Sequence, residues 1–189
     1  NWNLQIIPFF FKVCHPRAFL NNIRYLKKTK LKSFIIMLVA ISGLGWLCLK
    51  FIFLVVSLFH IQFKKGPYIT AEEIEKFDQD LDFVWEKAKE YNSFIAVRNC
   101  NYLKTLYSDK KFIKLKFFYD NKIVGWSISL CTKLDDHKQF GHMKLGSIVD
   151  CLSLKGYERS IISKTSEMLK KKGVDLIVSN QSHIFWKNA

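Results

Sequence analysis

Residues 146–183, reading GSIVDCLSL, KGYERSIISKTSEMLKKKG and VDLIVSNQSH, limit the folds open to this chain more than any other stretch. Ile148, Val149, Leu152 and Leu154 make a short apolar segment, partly β-branched, of the kind that forms a buried strand. Tyr157, Ile161, Thr165, Met168 and Leu169 then recur every three or four residues, the apolar stripe of a helix. Lys170, Lys171 and Lys172 fall in its last turn, where cations suit the negative end of the helix dipole, and Gly173 can take the left-handed conformation after it. Val174, Leu176, Ile177 and Val178 carry a second strand. So short a crossover predicts two parallel, adjacent strands, and hence an α/β fold.

Ligands of such units bind beyond the carboxyl ends of the strands, where the helix N-terminus offers N–H groups and partial positive charge. Here that corner is residues 154–160, with Lys155 and Arg159 adding two charges and Gly156 as its only glycine. An anion such as a phosphate suits it.

The 189 residues suffice for one domain of ordinary size and an appendage. The chain begins without Met and stops just after the apolar His183-Ile184-Phe185-Trp186, so it reads as a fragment. Net charge is +14, which permits attraction to nucleic acid, anionic lipid or a polyanionic cofactor. The excess is uneven: Lys12, Arg17, Arg24, Lys27, Lys28, Lys30 and Lys32 all precede the first acidic residue. A solvated Lys-rich surface and a functional patch both fit; without a recognised motif, nucleic acid is not expected as a partner. Cys14, Cys48, Cys100, Cys131 and Cys151 are scattered, odd in number and without a C-x-x-C pair, which fits reduced thiols in a cytosolic setting.

Residues 1–13 are apolar and aromatic around Pro8 and read as the final strand of something upstream. Residues 18–32 read as a basic amphipathic helix with Phe19, Leu20, Ile23, Leu26 and Leu31 on its apolar side. Residues 34–49 carry no charge, Lys50 interrupts, and 51–61 resume. At roughly 1.5 Å per residue the first piece falls short of a hydrocarbon core of about 30 Å, and the two joined exceed it. A spanning helix with Lys50 snorkelling, helices on a membrane surface or a partner domain, and a buried soluble pair broken at Gly43 and Gly45 all stay open. Residues 18–63 are thus a candidate membrane-contact surface. The stretch is too long for a signal peptide and no small-residue cleavage site follows.

Lys64-Lys65-Gly66-Pro67 marks the best boundary, dividing 1–65 from 66–189. Thr70-Ala71-Glu72-Glu73 has the spacing of a capping box and predicts a helix to about Tyr91, with Ile74, Phe77, Leu81, Val84, Trp85 and Ala88 as its buried stripe. Residues 98–107 read as a short helix. Residues 112–119 and 123–130 read as a hairpin turning at Asp120-Asn121, and residues 132–141 as a polar loop. Asp135, Asp136, His137 and His142 match no standard metal spacing, and no metal site is expected.

Helix, short helix, hairpin, third strand, helix, fourth strand is the order of the GNAT superfamily of acyl-CoA N-acyltransferases, which the chain resembles over roughly residues 67–189. In detail it looks like the divergent branch associated with bacterial polysaccharide biosynthesis. Arg98, Tyr102 and Leu103 match its Arg-x-x-x-Tyr-Leu segment, residues 148–152 its IVDCL strand, and residues 179–183 its SNQSH strand end. Two places depart from the pattern. Residues 155–160, KGYERS, replace the usual phosphate loop of Arg or Gln, two residues, Gly, one residue, Gly or Ala; Lys104-Thr105-Leu106 replaces an aromatic-Arg pair.

The resemblance implies a GNAT-like mixed sheet with flanking helices, preceded by a hydrophobic helical segment. Residues 1–65 would be the tail of a preceding domain, of a tandem GNAT protein, plus a connector. It implies transfer from acetyl-CoA or another acyl-CoA, as co-substrate, to an amino group of a sugar or cell-envelope precursor, in the cytoplasm or at the membrane. The alternative is a non-catalytic module that docks a polysaccharide biosynthesis complex to the membrane. By the resemblance, backbone groups of Ser147, Ile148, Val149 and Leu152 hold the pantetheine arm and polarise the thioester carbonyl. Lys155, Gly156, Tyr157, Arg159 and Ser160 hold the diphosphate.

Asp150, Asn180 and His183 are the catalytic candidates nearest the acceptor. Neighbours on a strand face opposite sides, so Asp150 and Cys151 divide between cleft and core. Cys151 shows no paired base and reads as structural. His183 is a general base or a hydrogen-bonded wall residue, and Asn180 a pantetheine ligand or a turn residue; both alternatives stay open.

Overall fold

The computed structural model describes residues 9–24, 66–91 and 95–180, with the single helical positions Phe34, Leu38, Leu47, Phe51, Leu54 and Val55. The elements in chain order are β1 (Phe9–Val13), α1 (Pro16–Asn22), β2 (Thr70–Ile74), α2 (Leu81–Lys89), α3 (Cys100–Leu106), β3 (Phe112–Tyr119), β4 (Lys122–His137), β5 (Gly141–Ser153), α4 (Glu158–Lys171) and β6 (Leu176–Asn180). The strands form one mixed sheet in the order β1-β6-β5-β4-β3-β2. Neighbours run antiparallel except β5 and β6, which are parallel, as the short crossover requires.

Asp120 and Asn121 take φ of 47° and 61° and turn β3 into β4. A tight turn with both φ positive matches the twist of the strands it joins. β4 alternates across the sheet. Trp126 and Ile128 pack with Leu81, Val84, Leu103 and Tyr107 of the α2–α3 side, while the Ser127 hydroxyl meets Thr165 of α4 at 2.8 Å on the other. Gly125 lets α4 lie close, because a Cβ there would overlap Ile161 Cδ1 and the Leu152 carbonyl oxygen. α4 buries Ile161, Ile162, Thr165, Ser166 and Leu169, and Gly173 beyond it has φ of 78°.

Three expectations are corrected. Thr70 begins a strand and caps no helix: Thr70–Ile74 pairs with Phe118–Lys114 of β3, and Ile69 and Ala71 pack on Leu115, Phe117, Val124 and Ile161. The sheet edge outcompetes the local capping pattern, and the helix starts only at Leu81, burying Leu81, Val84, Trp85 and Ala88. Residues 132–141 are no loop but the far ends of β4 and β5, paired from Thr132↔Leu145 to His137↔Gly141. They are polar because they reach past the helices that cover the rest of the sheet.

Residues 9–13 form an edge strand of this sheet. They pair antiparallel with β6, Phe9↔Asn180 to Val13↔Leu176, and Phe10 packs on Ile148, Ile162, Leu169, Val174 and Ile177. Third, α1 is shorter than read. It starts with Pro at its first turn and ends at Asn22; Ile23 turns extended and packs with Met143 and Leu176. α1 therefore covers the sheet face opposite α4, the same face as α2 and α3.

Of the apolar run, Phe34, Leu38, Leu47, Phe51 and Leu54 are helical and exposed; most of residues 34–61 lies outside the described residues. Among the described residues no helix is long and apolar enough to cross a membrane.

Candidate functional site

The parallel pair holds Leu145↔Leu176, Gly146↔Ile177 and Ser147↔Val178 and extends no further between described residues. Two features end the backbone ladder there. β5 bulges, since Ile128↔Asp150 and Ser129↔Ile148 leave Val149 as the extra residue. Beyond Val178, the Ser179 hydroxyl donates to the Ile148 carbonyl at 3.1 Å, while the Ser179 and Asn180 backbones pair with Phe10 and Phe9.

The bulge also places Val149 on the α2–α3 side, where it packs with Leu152 and Leu154 on the cluster around Trp126 and Tyr107. Asp150 faces this side too. Arg98 Nε donates to Asp150 Oδ1 at 3.1 Å and Oδ2 at 3.0 Å. The Tyr107 hydroxyl donates to Oδ2 at 3.2 Å, and the Cys151 N–H to Oδ1 at 2.9 Å. Arg98 is further fixed by Nη1 donating to the Ala96 carbonyl at 3.0 Å. Burial pushes the Asp150 carboxyl above its ordinary range, against the pull of Arg98 and of the Tyr107 and Cys151 hydrogen bonds. Burial and then the Asp150 charge push the Tyr107 phenol well up.

α3 makes this convergence possible. Arg98 precedes it and Tyr107 follows it, so one short helix presents both to β5. Its start is doubly fixed: the Asn99 side chain accepts the Tyr102 N–H at 2.9 Å, and Asp82 of α2 accepts the Cys100 N–H at 2.6 Å. Cys151 points to the opposite side, among residues packed under α4; burial and the Asp150 charge raise its thiol to about 12. That excludes it as a ready nucleophile at neutral pH.

At the corner before α4, Gly156 has φ of 95° and its N–H donates to Glu158 Oε2 at 2.8 Å. Glu158 is thus a carboxylate in the first turn, satisfying a donor that an anion would use. The Tyr157 N–H donates to the Leu154 carbonyl at 3.2 Å, and the tyrosine ring packs on Tyr119 at 5.5 Å between centroids. The Ser160 hydroxyl donates to the Pro67 carbonyl at 2.7 Å. Gly66 passes so close that a Cβ would overlap Ser160 Oγ. Lys155 lies 5.9 Å from the Tyr91 ring. Lys155 and Arg159 leave residues 154–160 net positive around Glu158. The Gly156 and Ser160 donors are already used from within the chain.

The structure brings Ser147, Ile148, Val149, Asp150 and Leu152 together at the parting of β5 and β6. Asn180 lies exposed at the end of β6, on the face shared with Ser147, Phe9 and Phe11. His183 lies outside the described residues. Tyr107 was missed in the sequence, and Arg98 entered only through the resemblance; they are the two ends of the predicted short helix, but nothing local pairs them with Asp150. The polar hairpin end holds His142 Nδ1 at 2.6 Å from Asp135 and Arg24 against Asp136. Among the described residues no group of three His, Cys, Asp or Glu could hold a metal ion.

No protein-family model matches the chain, and no curated protein matches it. Solved structures similar to it include an aminoglycoside acetyltransferase from an uncultured soil metagenomic sample, 18% identical over 62% of this chain and 80% of that one, with a TM-score of 0.42. A ribosomal-protein-alanine N-acetyltransferase from Brucella melitensis is 12% identical over 65% and 86%, with a TM-score of 0.45. A GNAT family acetyltransferase from Staphylococcus aureus is 16% identical over 62% and 89%, also at 0.45. Likeness at this level transfers neither activity nor substrate.

Proposed function

We propose that the chain is a GNAT-type N-acyltransferase that moves an acyl group from a pantetheine thioester, acyl-CoA in the form the resemblance implies, to an amine. The observation that carries this reading is the parting of β5 and β6 after Ser147↔Val178, directly before the bulge at Val149. A parallel pair that parts gives an extended amide arm a strand edge to lie along. In the proposed reaction the amine nitrogen attacks the thioester carbonyl and the C–S bond breaks. The amine gives up a proton, and the departing thiolate takes one.

Asp150 already accepts from Arg98, Tyr107 and the Cys151 N–H, so both its oxygens are engaged within the chain. In this reading it anchors the acceptor wall and positions Arg98 and Tyr107. Asn180 faces the acceptor, and His183 stays the candidate base. An amino group on a sugar or cell-envelope precursor is the acceptor class proposed, supported by Phe9 and Phe11, which are 54% and 64% exposed beside Asn180. Aromatic faces of this kind pack against the C–H faces of sugar rings. Calorimetry of the full chain with S-acetyl-4′-phosphopantetheine and with acetyl-CoA tests the reading: heat with either supports it, and heat with neither overturns it.

A second reading, a membrane-docking module, is favoured by the exposure of Phe34, Leu38, Leu47, Phe51 and Leu54 together. Removing residues 1–65 would also remove β1 from the sheet, so substitution is the cleaner test. Flotation with anionic liposomes should be lost in F34E/L38E/F51E, and unchanged flotation would count against this reading.

A further inference from the structure

A diphosphate cradle needs consecutive available N–H donors and net positive charge at a helix start. The corner before α4 carries Lys155 and Arg159, but two of its donors are engaged from within the chain. Glu158 supplies its own carboxylate to the Gly156 N–H at 2.8 Å, placing a negative charge where a diphosphate would bring more. Ser160 is tied to the Pro67 carbonyl at 2.7 Å, with the chain at Gly66 packed hard against it. The β5–β6 ladder ends at Ser147↔Val178, and beyond it the Ser179 hydroxyl holds the Ile148 carbonyl, so the backbone of β5 from Val149 to Ser153 is the edge left to an amide arm.

We propose that the acyl donor arrives on the phosphopantetheine arm of an acidic carrier protein instead of as a free CoA nucleotide. The inference rests on the acyltransferase reading. Such an arm offers the same amides and thioester to β5 and β6. It ends in a single phosphodiester joined to a protein surface, so the corner has no diphosphate or adenosine to hold. The charge of the chain, +14, is complementary to an acidic partner. At the sheet end where the donor would enter, Lys122 and Lys155 are exposed and form no ion pair among the described residues.

The test is binding to the full chain of 4′-phosphopantetheine, CoA, and the holo and apo forms of an acidic acyl carrier protein. Phosphopantetheine and CoA should bind within about threefold of each other, and holo carrier about tenfold or more tighter than apo carrier. Binding of holo carrier should weaken about tenfold between 50 and 300 mM salt, and again in K122E/K155E. E158A should raise affinity for CoA while leaving phosphopantetheine unchanged. CoA binding about tenfold tighter than phosphopantetheine, or equal binding of holo and apo carrier, would overturn the inference and leave the acyltransferase reading standing. Failure of all four probes to bind removes both.

Discussion

Arg98 and Asp150 meet across 52 positions of chain, with one guanidinium nitrogen shared between both carboxylate oxygens at 3.1 and 3.0 Å. The pair is asymmetric: the Arg98 side chain is 25% exposed and the Asp150 side chain 8%. Burial therefore weighs on the carboxylate, and the arginine offsets it from a position still in touch with water.

Removing the arginine strands the buried charge. R98M should lose about 3 kcal/mol of stability at neutral pH. Its pH dependence follows from the carboxyl, whose value in the fold lies above the ordinary one. The folded chain then binds that proton more tightly than the unfolded chain, so the stability this group contributes falls as pH rises from the unfolded to the folded value. R98M pushes the folded value higher. Its penalty should shrink on going from pH 7.5 to pH 5, as read by urea unfolding, and an equal penalty at both would contradict the assignment.

Tyr107 supplies one of the donors to Asp150, and the other two remain when it is lost. Y107F should cost about 1–2 kcal/mol. Because both residues serve the same carboxylate, the R98M/Y107F pair should depart from additivity by about 1 kcal/mol in a double-mutant cycle. Strict additivity would mean that the hydroxyl does not act through Asp150.

Two glycines should respond to alanine for different reasons. At Gly125 the limit is room, since the added carbon overlaps Ile161 and the Leu152 carbonyl, and G125A should lose about 2–3 kcal/mol. At Gly156 there is open space but φ is 95°, so G156A should lose about 1–2 kcal/mol from backbone strain alone. Urea unfolding of both variants checks the order.

Lys116 is buried on β3 with its ammonium between Asp78 and Asp80, 2.7 Å from the latter. Burial alone would lower its value, but the hydrogen bonds to the two aspartates outweigh that and hold it raised. Lys114 beside it donates to the Glu75 carbonyl at 3.0 Å. These two lysines pin the segment between β2 and α2. K116M should speed amide exchange in residues 75–82 with little change at α4; unchanged exchange there would assign the pinning to Lys114 alone.

The strand–helix–strand unit was legible in the sequence because its signals are local: the stripe at Ile161, Thr165 and Leu169, the lysines ending α4, and Gly173 after it. The Asp120-Asn121 hairpin was legible for the same reason. Thr70–Ile74 misled because a Thr-x-x-Glu spacing looks the same whether the backbone bonds go to a helix or to β3. The Arg98–Asp150–Tyr107 convergence needs α3 docked on β5, and no short-range pattern encodes that. The bulge at Val149 was likewise invisible, since a surplus residue is defined only against the partner strand. The corner before α4 was read from its cations, while the bond from the Gly156 N–H to Glu158 and the reach of Ser160 to Pro67 are visible only in the fold.

The antiparallel pairing of β1 with β6 sets an order of events during synthesis. His15 and Asp175, which meet beside that pairing, are 160 positions apart. At ribosomal rates of about 5–20 residues per second, the Phe-rich first strand waits roughly ten to thirty seconds for its partner to be made. Throughout that interval a bare strand of FFFKV is available to any other nascent chain or holdase. Yield from cells should therefore be governed less by the thermodynamics of the finished fold than by what shields β1 while the ribosome is still at work.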